Sequence, residues 1–146
     1  MSILAIPSAV YSELRSHGEE SYPDECCGAL LGVLSSEGWQ VVKAVRAVNA
    51  QTDAAHDRYS ISPLELVHIA RQAREDGLEI AGFYHSHPDH PAQWSRTDFV
   101  EAHWLGCAYV ITEVDRGKAV VTNCFLLAGE NEEQKQFQQL LIDIQD

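Results

Sequence analysis

The sequence predicts an α/β fold, a mixed β-sheet flanked by helices, in a single domain over residues 1–146. Three observations carry this. Apolar residues recur at helical spacing from Pro7 to about Glu20 and again from Ser62 to Gly77. Two pairs of strand-like runs, 29–35 with 39–50 and 107–114 with 118–127, are each joined by a tight turn. A lone apolar run at 78–84 lies between two helical stretches. At 146 residues and 45% hydrophobic content, the chain can bury one core without staples.

Taken in order, Ile6-Pro7-Ser8 opens a helix that runs to about Glu20, with proline tolerated in its first turn. Val10, Tyr11, Leu14 and His17 share its inner face, with His17 at the boundary. Ser21-Tyr22-Pro23 stops the helix, and Glu25 then precedes the first strand. Ser35-Ser36-Glu37-Gly38 turns the chain into the second strand, giving an antiparallel hairpin. Residues 49–58 are polar and read as a loop in which His56 is solvated; Tyr59-Ser60-Ile61 reads as a short strand.

Ser62-Pro63-Leu64-Glu65 is a strong helix start, with a serine cap, proline at the first position and glutamate three residues after the cap. Leu66, Val67, Ile69, Ala70 and Ala73 supply its apolar face, His68 is structural, and Gly77 ends it. The strand at 78–84 follows. A helix after Ser95 is expected to carry Phe99, Val100, His103 and Trp104 as far as Gly106. The second hairpin turns at Asp115-Arg116-Gly117. Phe137, Leu140, Leu141 and Ile144 mark a last amphipathic helix over 131–146.

Composition excludes several function classes. The net charge of −12 opposes binding to nucleic acid and to anionic membranes, and favours a basic protein partner. No apolar run approaches a membrane span, and the first seven residues lack the basic and apolar regions of a signal peptide, so a cytoplasmic location is expected. Cys26, Cys27, Cys107 and Cys124 form no Cys-x-x-Cys pair and read as small buried apolar residues in a reducing compartment.

The chemistry concentrates in Tyr84-His85-Ser86-His87-Pro88 and in Ser95-x-x-Asp98. Histidines two residues apart point to the same side of a strand, so both imidazoles can converge on one point. The loop from Pro88 to Trp94 brings the chain back, and Asp98 opens the next helix facing them. Two imidazoles and one carboxylate make an open three-ligand zinc site, with no cysteine pair spaced to close it. Separately, each piece is weak: His-x-His is common, and Ser95-x-x-Asp98 is an ordinary capping box. A nucleobase deaminase is excluded, because position 87 is histidine rather than glutamate and no Cys-x-x-Cys follows.

The complete spacing, His-Ser-His-Pro with Pro88 through Trp94, then Ser95 and Asp98, resembles the motif of the JAMM (MPN-plus) metalloprotease family. The upstream Pro23-Asp24-Glu25-Cys26-Cys27-Gly28-Ala29-Leu30-Leu31-Gly32 resembles the family's pattern around its catalytic acid. The resemblance extends from about Ser21 to Val114. It implies an MPN fold, Zn²⁺ held by His85, His87 and Asp98, Glu25 as general base and acid, and Ser95 as donor to the oxyanion. Ser86 falls on the opposite strand face, His90 is a loop residue able to touch substrate, and Trp94 is expected to wall the cleft.

The resemblance further implies hydrolysis of a peptide or isopeptide bond after the Gly-Gly tail of a ubiquitin-like protein. The short spacing between motifs is similar to compact prokaryotic members that process sulfur-carrier proteins. Two other readings stay open, a non-catalytic MPN interaction module and a short-peptide peptidase of the cell-wall type. Oligomeric state is left open.

Overall fold

The computed structural model describes residues 3–146. Seven strands and three helices alternate as β1 (Ile3–Pro7), α1 (Ser8–Ser21), β2 (Cys27–Ser35), β3 (Gly38–Ala47), α2 (Pro63–Glu75), β4 (Glu79–Pro88), α3 (Arg96–Glu101), β5 (Ala108–Asp115), β6 (Lys118–Ala128) and β7 (Gln136–Gln145). The strands form one mixed sheet in the order β1-β3-β2-β4-β5-β6-β7, which closes on itself where β7 lies parallel to β1, from Ile3 opposite Leu141 to Pro7 opposite Gln145.

Both hairpins form as the sequence predicts, β2 with β3 and β5 with β6. The central strands are apolar on both faces because each face has its own helix. Leu30, Tyr84, Val110 and Leu126 pack with Leu14, Val10 and Tyr11 of α1. Their odd-numbered neighbours Leu31, Phe83, Tyr109 and Leu127 pack with Ile69, Ala73 and Leu66 of α2. Ser62 caps α2 by accepting from the Glu65 amide at 3.2 Å.

Four local expectations are corrected. The C-terminal segment is the strand β7, not a helix over 131–146. Phe137, Leu140, Leu141 and Ile144 satisfy helical spacing, but Ile142-Asp143-Ile144 also alternates, and the free edges of β6 and β1 decide the tie. Leu140 is therefore buried while its neighbour Leu141 is 73% exposed, an outcome of two-residue periodicity. Ile3–Pro7 is a strand that delivers Pro7 to the N-terminus of α1, so the helix starts at Ser8. Residues 59–61 form no strand. Helix α3 stops at Glu101 rather than at Gly106, because Lys135 Nζ donates to Ala102 O at 2.8 Å and to Val100 O at 3.4 Å, satisfying carbonyls at its end. Among the described residues, no helix is long and apolar enough to cross a membrane.

Candidate metal centre

Strand β4 runs further than residue 84 and carries the motif itself, with every residue from Ala81 to Pro88 buried. Its two-residue repeat sends His85 and His87 to the α2 side with Phe83, and Tyr84 and Ser86 to the α1 side. Ser86 Oγ accepts from the Cys26 amide at 2.9 Å, which joins the strand to the segment bearing Glu25. Tyr84 lies flat over Gly28, where a Cβ would stand 2.2 Å from the ring; any larger residue at 28 would push β2 off β4. Burial raises the Tyr84 phenol, and its hydroxyl shares a hydrogen bond with His17 Nδ1 at 2.7 Å. His17 is thus a buried, hydrogen-bonded residue rather than a boundary residue.

After Pro88 the chain reverses at Asp89, whose φ is 59°. Asp89 clamps this turn while staying exposed: it accepts from Tyr22 Oη at 2.6 Å and from the Arg116 amide at 2.8 Å. The returning loop places Pro91 O where it accepts from His87 Nδ1 at 2.8 Å. Ser95 then caps α3. The Asp98 amide donates to Ser95 Oγ at 3.0 Å, and the Ser95 amide donates to Asp98 Oδ2 at 2.9 Å.

Helix α3 is six residues long and buries none of them, so its position depends on its attachments. Phe99 and Trp94 pack on Phe137 of β7 with centroids 5.7 and 5.4 Å apart, Lys135 Nζ sits 5.0 Å over the Phe99 ring, and Glu101 pairs with Arg58 at 2.9 Å. Trp94 therefore anchors α3 and does not wall the cleft, as the sequence had suggested. Phe137→Ala should cost about 3 kcal/mol, the low end for a phenylalanine truncation because the ring is only partly buried. It should also weaken cation binding, since it removes the platform under the Asp98 helix. Urea denaturation and cation titration of the same sample check both; lost stability with unchanged affinity would sever α3 placement from β7.

The predicted ligands meet. His85 Nε2 lies 3.2 Å from His87 Nε2 and 3.2 Å from Asp98 Oδ1, and His87 Nε2 lies 3.0 Å from Asp98 Oδ2. Ligand atoms of all three fall within 4.8 Å of one another. Pro91 O can only accept, so neutral His87 carries its proton on Nδ1 and turns the lone pair of Nε2 toward the other two. A second imidazole nitrogen and a carboxylate facing that lone pair is an arrangement that a cation resolves, and two nitrogens with one oxygen suit Zn²⁺.

The electrostatics agree with the geometry. Burial lowers His85. Burial also opposes charge on His87, but its hydrogen bonds to Asp98 and Pro91 leave it raised. Burial works against the Asp98 carboxylate, yet hydrogen bonding to the two histidines holds it well below the usual carboxylate range.

Glu25 is 5% exposed and stands outside the ligand cluster. It lines a cleft of about 380 Å³ with His87, His90, Pro91 and Ser95. Among the described residues, the two buried side-chain atoms without a hydrogen-bond partner are Glu25 Oε1 and His85 Nδ1, both at this site. Burial, then the Asp98, Asp57 and Glu101 carboxylates, push Glu25 up to about 9. Without a cation, folding therefore takes up a proton here, and stability declines as pH rises from the ordinary value of 4.5 toward 9. Metal-free Glu25→Gln should match the unsubstituted protein in Tm near pH 4 and exceed it increasingly from pH 6 to 9. Parallel Tm curves over that range would refute the burial of this charge.

Sequence reasoning missed Tyr59, whose ring stacks on His85 with centroids 4.4 Å apart and planes at 23°. No signal in the neighbouring sequence marks it for this contact. His90 is exposed at the cleft mouth, in keeping with a loop residue able to touch substrate.

The comparisons agree with this architecture. A solution structure of a protein from Desulfitobacterium hafniense superposes with a TM-score of 0.79 at 22% identity, covering 97% of this chain and 94% of that one, a likeness of fold. A solution structure from Salinibacter ruber gives 0.71 at 32% identity, covering 94% and 90%. The desampylase of Haloferax volcanii is 31% identical over 118 residues, 78% of this chain and 83% of that protein. A probable TtuB-protein conjugate cleaving protease of Thermus thermophilus is 29% identical over 117 residues, 80% and 74%. Residues 7–128 match the family described as prokaryotic homologs of the JAB domain, and the chain belongs to that family.

Proposed function

We propose that this chain is a cytoplasmic zinc metallopeptidase that hydrolyses the amide bond following the Gly-Gly tail of a ubiquitin-like or sulfur-carrier protein. The observation that carries the proposal is the convergence of His85, His87 and Asp98 beside a buried carboxyl that ligates nothing. Relatives named for desampylation and for cleavage of TtuB conjugates support the substrate class. Four reduced, buried cysteines suit a reducing compartment.

Zn²⁺ held by His85, His87 and Asp98 would supply Lewis acidity toward the scissile carbonyl and lower the pKa of water at the site. The chain supplies the rest. Glu25, unpartnered at Oε1, takes the proton from the attacking water and returns it to the leaving amine. Ser95 caps α3 through a lone pair on Oγ, which leaves its hydroxyl proton to donate to the oxygen that becomes negative. The cap and the donor roles thus use different parts of one hydroxyl. His87 is steadied by Pro91 O and His85 by the Tyr59 ring, so neither imidazole needs to reorganise during the reaction.

The test is intact mass of Gly-Gly-tailed carrier proteins extended by cysteine, by a short peptide, or through a lysine amide. A zinc-dependent loss ending at Gly-Gly is expected. No loss from any of the three by protein with stoichiometric zinc would overturn the substrate assignment and favour an interaction module.

A further inference from the structure

The carboxyl of Glu25 makes no hydrogen bond through Oε1, and the ring of His85 makes none through Nδ1. Something other than their own polar ends must aim them. For both, the candidate is the segment 48–62 between β3 and α2, and one amide in it reaches both groups.

Asn49 uses its full hydrogen-bonding capacity, two donors and two acceptor lone pairs. Its Nδ2 donates to Glu25 O at 3.2 Å and to Arg58 O at 3.0 Å. Its Oδ1 accepts from the Gln51 amide at 2.9 Å and the Ser60 amide at 3.2 Å. Arg58 and Ser60 are the residues on either side of Tyr59, so the amide grips the backbone that presents the stacked ring. On the other side, Glu25 is held at both of its peptide groups: its N–H donates to Ala55 O at 2.7 Å, within the same segment, and its C=O accepts from Asn49. Fixing both peptide planes fixes the Cα–Cβ direction, which aims a carboxyl that has no anchor of its own. The segment is tied down at its ends as well, by the Val48 amide on Glu65 Oε1 at 2.9 Å and by Arg58 on Glu101 of α3 at 2.9 Å.

We infer that Asn49 is a positioning residue for the reaction: one side-chain amide sets the direction of Glu25 and the ring that orients His85, so that proton acceptor and metal ligand are placed by the same group. This rests on the role proposed for Glu25. A hydrophobic or charged residue at 49 cannot replace four bonds of this polarity, two given and two received.

Asn49→Ala is the first variant. Expected is a fall in kcat of about 10- to 100-fold, the range for residues supporting a metal site, with KM changed far less. In the metal-free protein, the ring-proton resonances of His85 should lose the upfield shift imposed by Tyr59, and the Glu25 and Ser60 amides should exchange faster. Asn49→Asp keeps both acceptor bonds and loses both donors, and should free Glu25 while retaining protection at Ser60. Ile6→Val, a core truncation in β1, costs about 1 kcal/mol and should move none of these readouts. A wild-type kcat in Asn49→Ala, or unchanged His85 resonances and Glu25 exchange in both Asn49 variants, would overturn the inference. If the unsubstituted protein cleaves no tailed substrate, the functional reading fails separately, and the metal-free spectra still decide whether Asn49 holds the two groups.

Discussion

Asp98→Ala should leave the protein folded and without stoichiometric metal. The carboxylate supplies the one negative charge in the cluster, with Oδ1 3.2 Å from His85 Nε2 and Oδ2 3.0 Å from His87 Nε2. Its removal leaves two neutral imidazoles, and affinity should fall by more than the roughly 100-fold that loss of a mere supporting residue costs. Asp98 also caps α3, so the alanine variant removes a cap worth about 1 kcal/mol. Asp98→Asn separates the two duties. An asparagine oxygen can still accept from the Ser95 amide, which preserves the cap, while the charge is gone. Elemental analysis after dialysis should show metal lost from both variants and Tm lowered mainly in Asp98→Ala. Full metal occupancy in Asp98→Asn would reduce Asp98 to a helix cap.

Glu25→Gln should show the opposite split, full metal content and turnover reduced by about 10²- to 10⁴-fold, the usual contribution of a positioned general base. Glutamine has the size of the protonated acid and fits the same buried position, but it cannot take a proton. The argument depends on Glu25 standing outside the ligand cluster while lining the same cleft as His87 and Ser95. The carboxyl is also tuned by what it faces. Burial is the largest cause of its raised value and the Asp98 carboxylate the next, and a cation held at Asp98 offsets the second. The group should thus lose its proton more readily with metal present than without it. Substrate disappearance followed by mass spectrometry at saturating zinc gives the rate; cleavage by Glu25→Gln at the unsubstituted rate would place the base elsewhere.

How much of this was legible in the chain varies with the range of the interaction that decides it. His85, His87 and Asp98 could be placed together because strand periodicity and a helix cap are local rules, and the structure brings them within 4.8 Å. The hairpins and α2 followed from turn residues and capping, also local. Tyr59 was not legible, because nothing near it in sequence indicates that a loop aromatic will land on a ring 26 positions later. Trp94 was placed correctly in the loop but given the wrong work, since its partner Phe137 is distant in sequence. Strand β7 was misread as a helix for the same reason: its apolar pattern fits both periods, and the deciding partners are β1 and β6.

The closure of β7 on β1 also sets an order of events. Ile3 pairs with Leu141, about as great a separation as the chain permits, and contacts of that range form late because so much chain must be constrained to make them. Phe137 and Lys135, which hold the Asp98 helix, belong to this same late segment. A nascent chain still sheltering residues 135–145 in the ribosome would have its two histidines on a formed strand and its carboxylate on an unanchored helix. A complete ligand set would then form only after β7 has docked on β1. Stalled chains ending before residue 135 should bind zinc weakly, and tight binding by such chains would show that α3 finds its place without the closing strand.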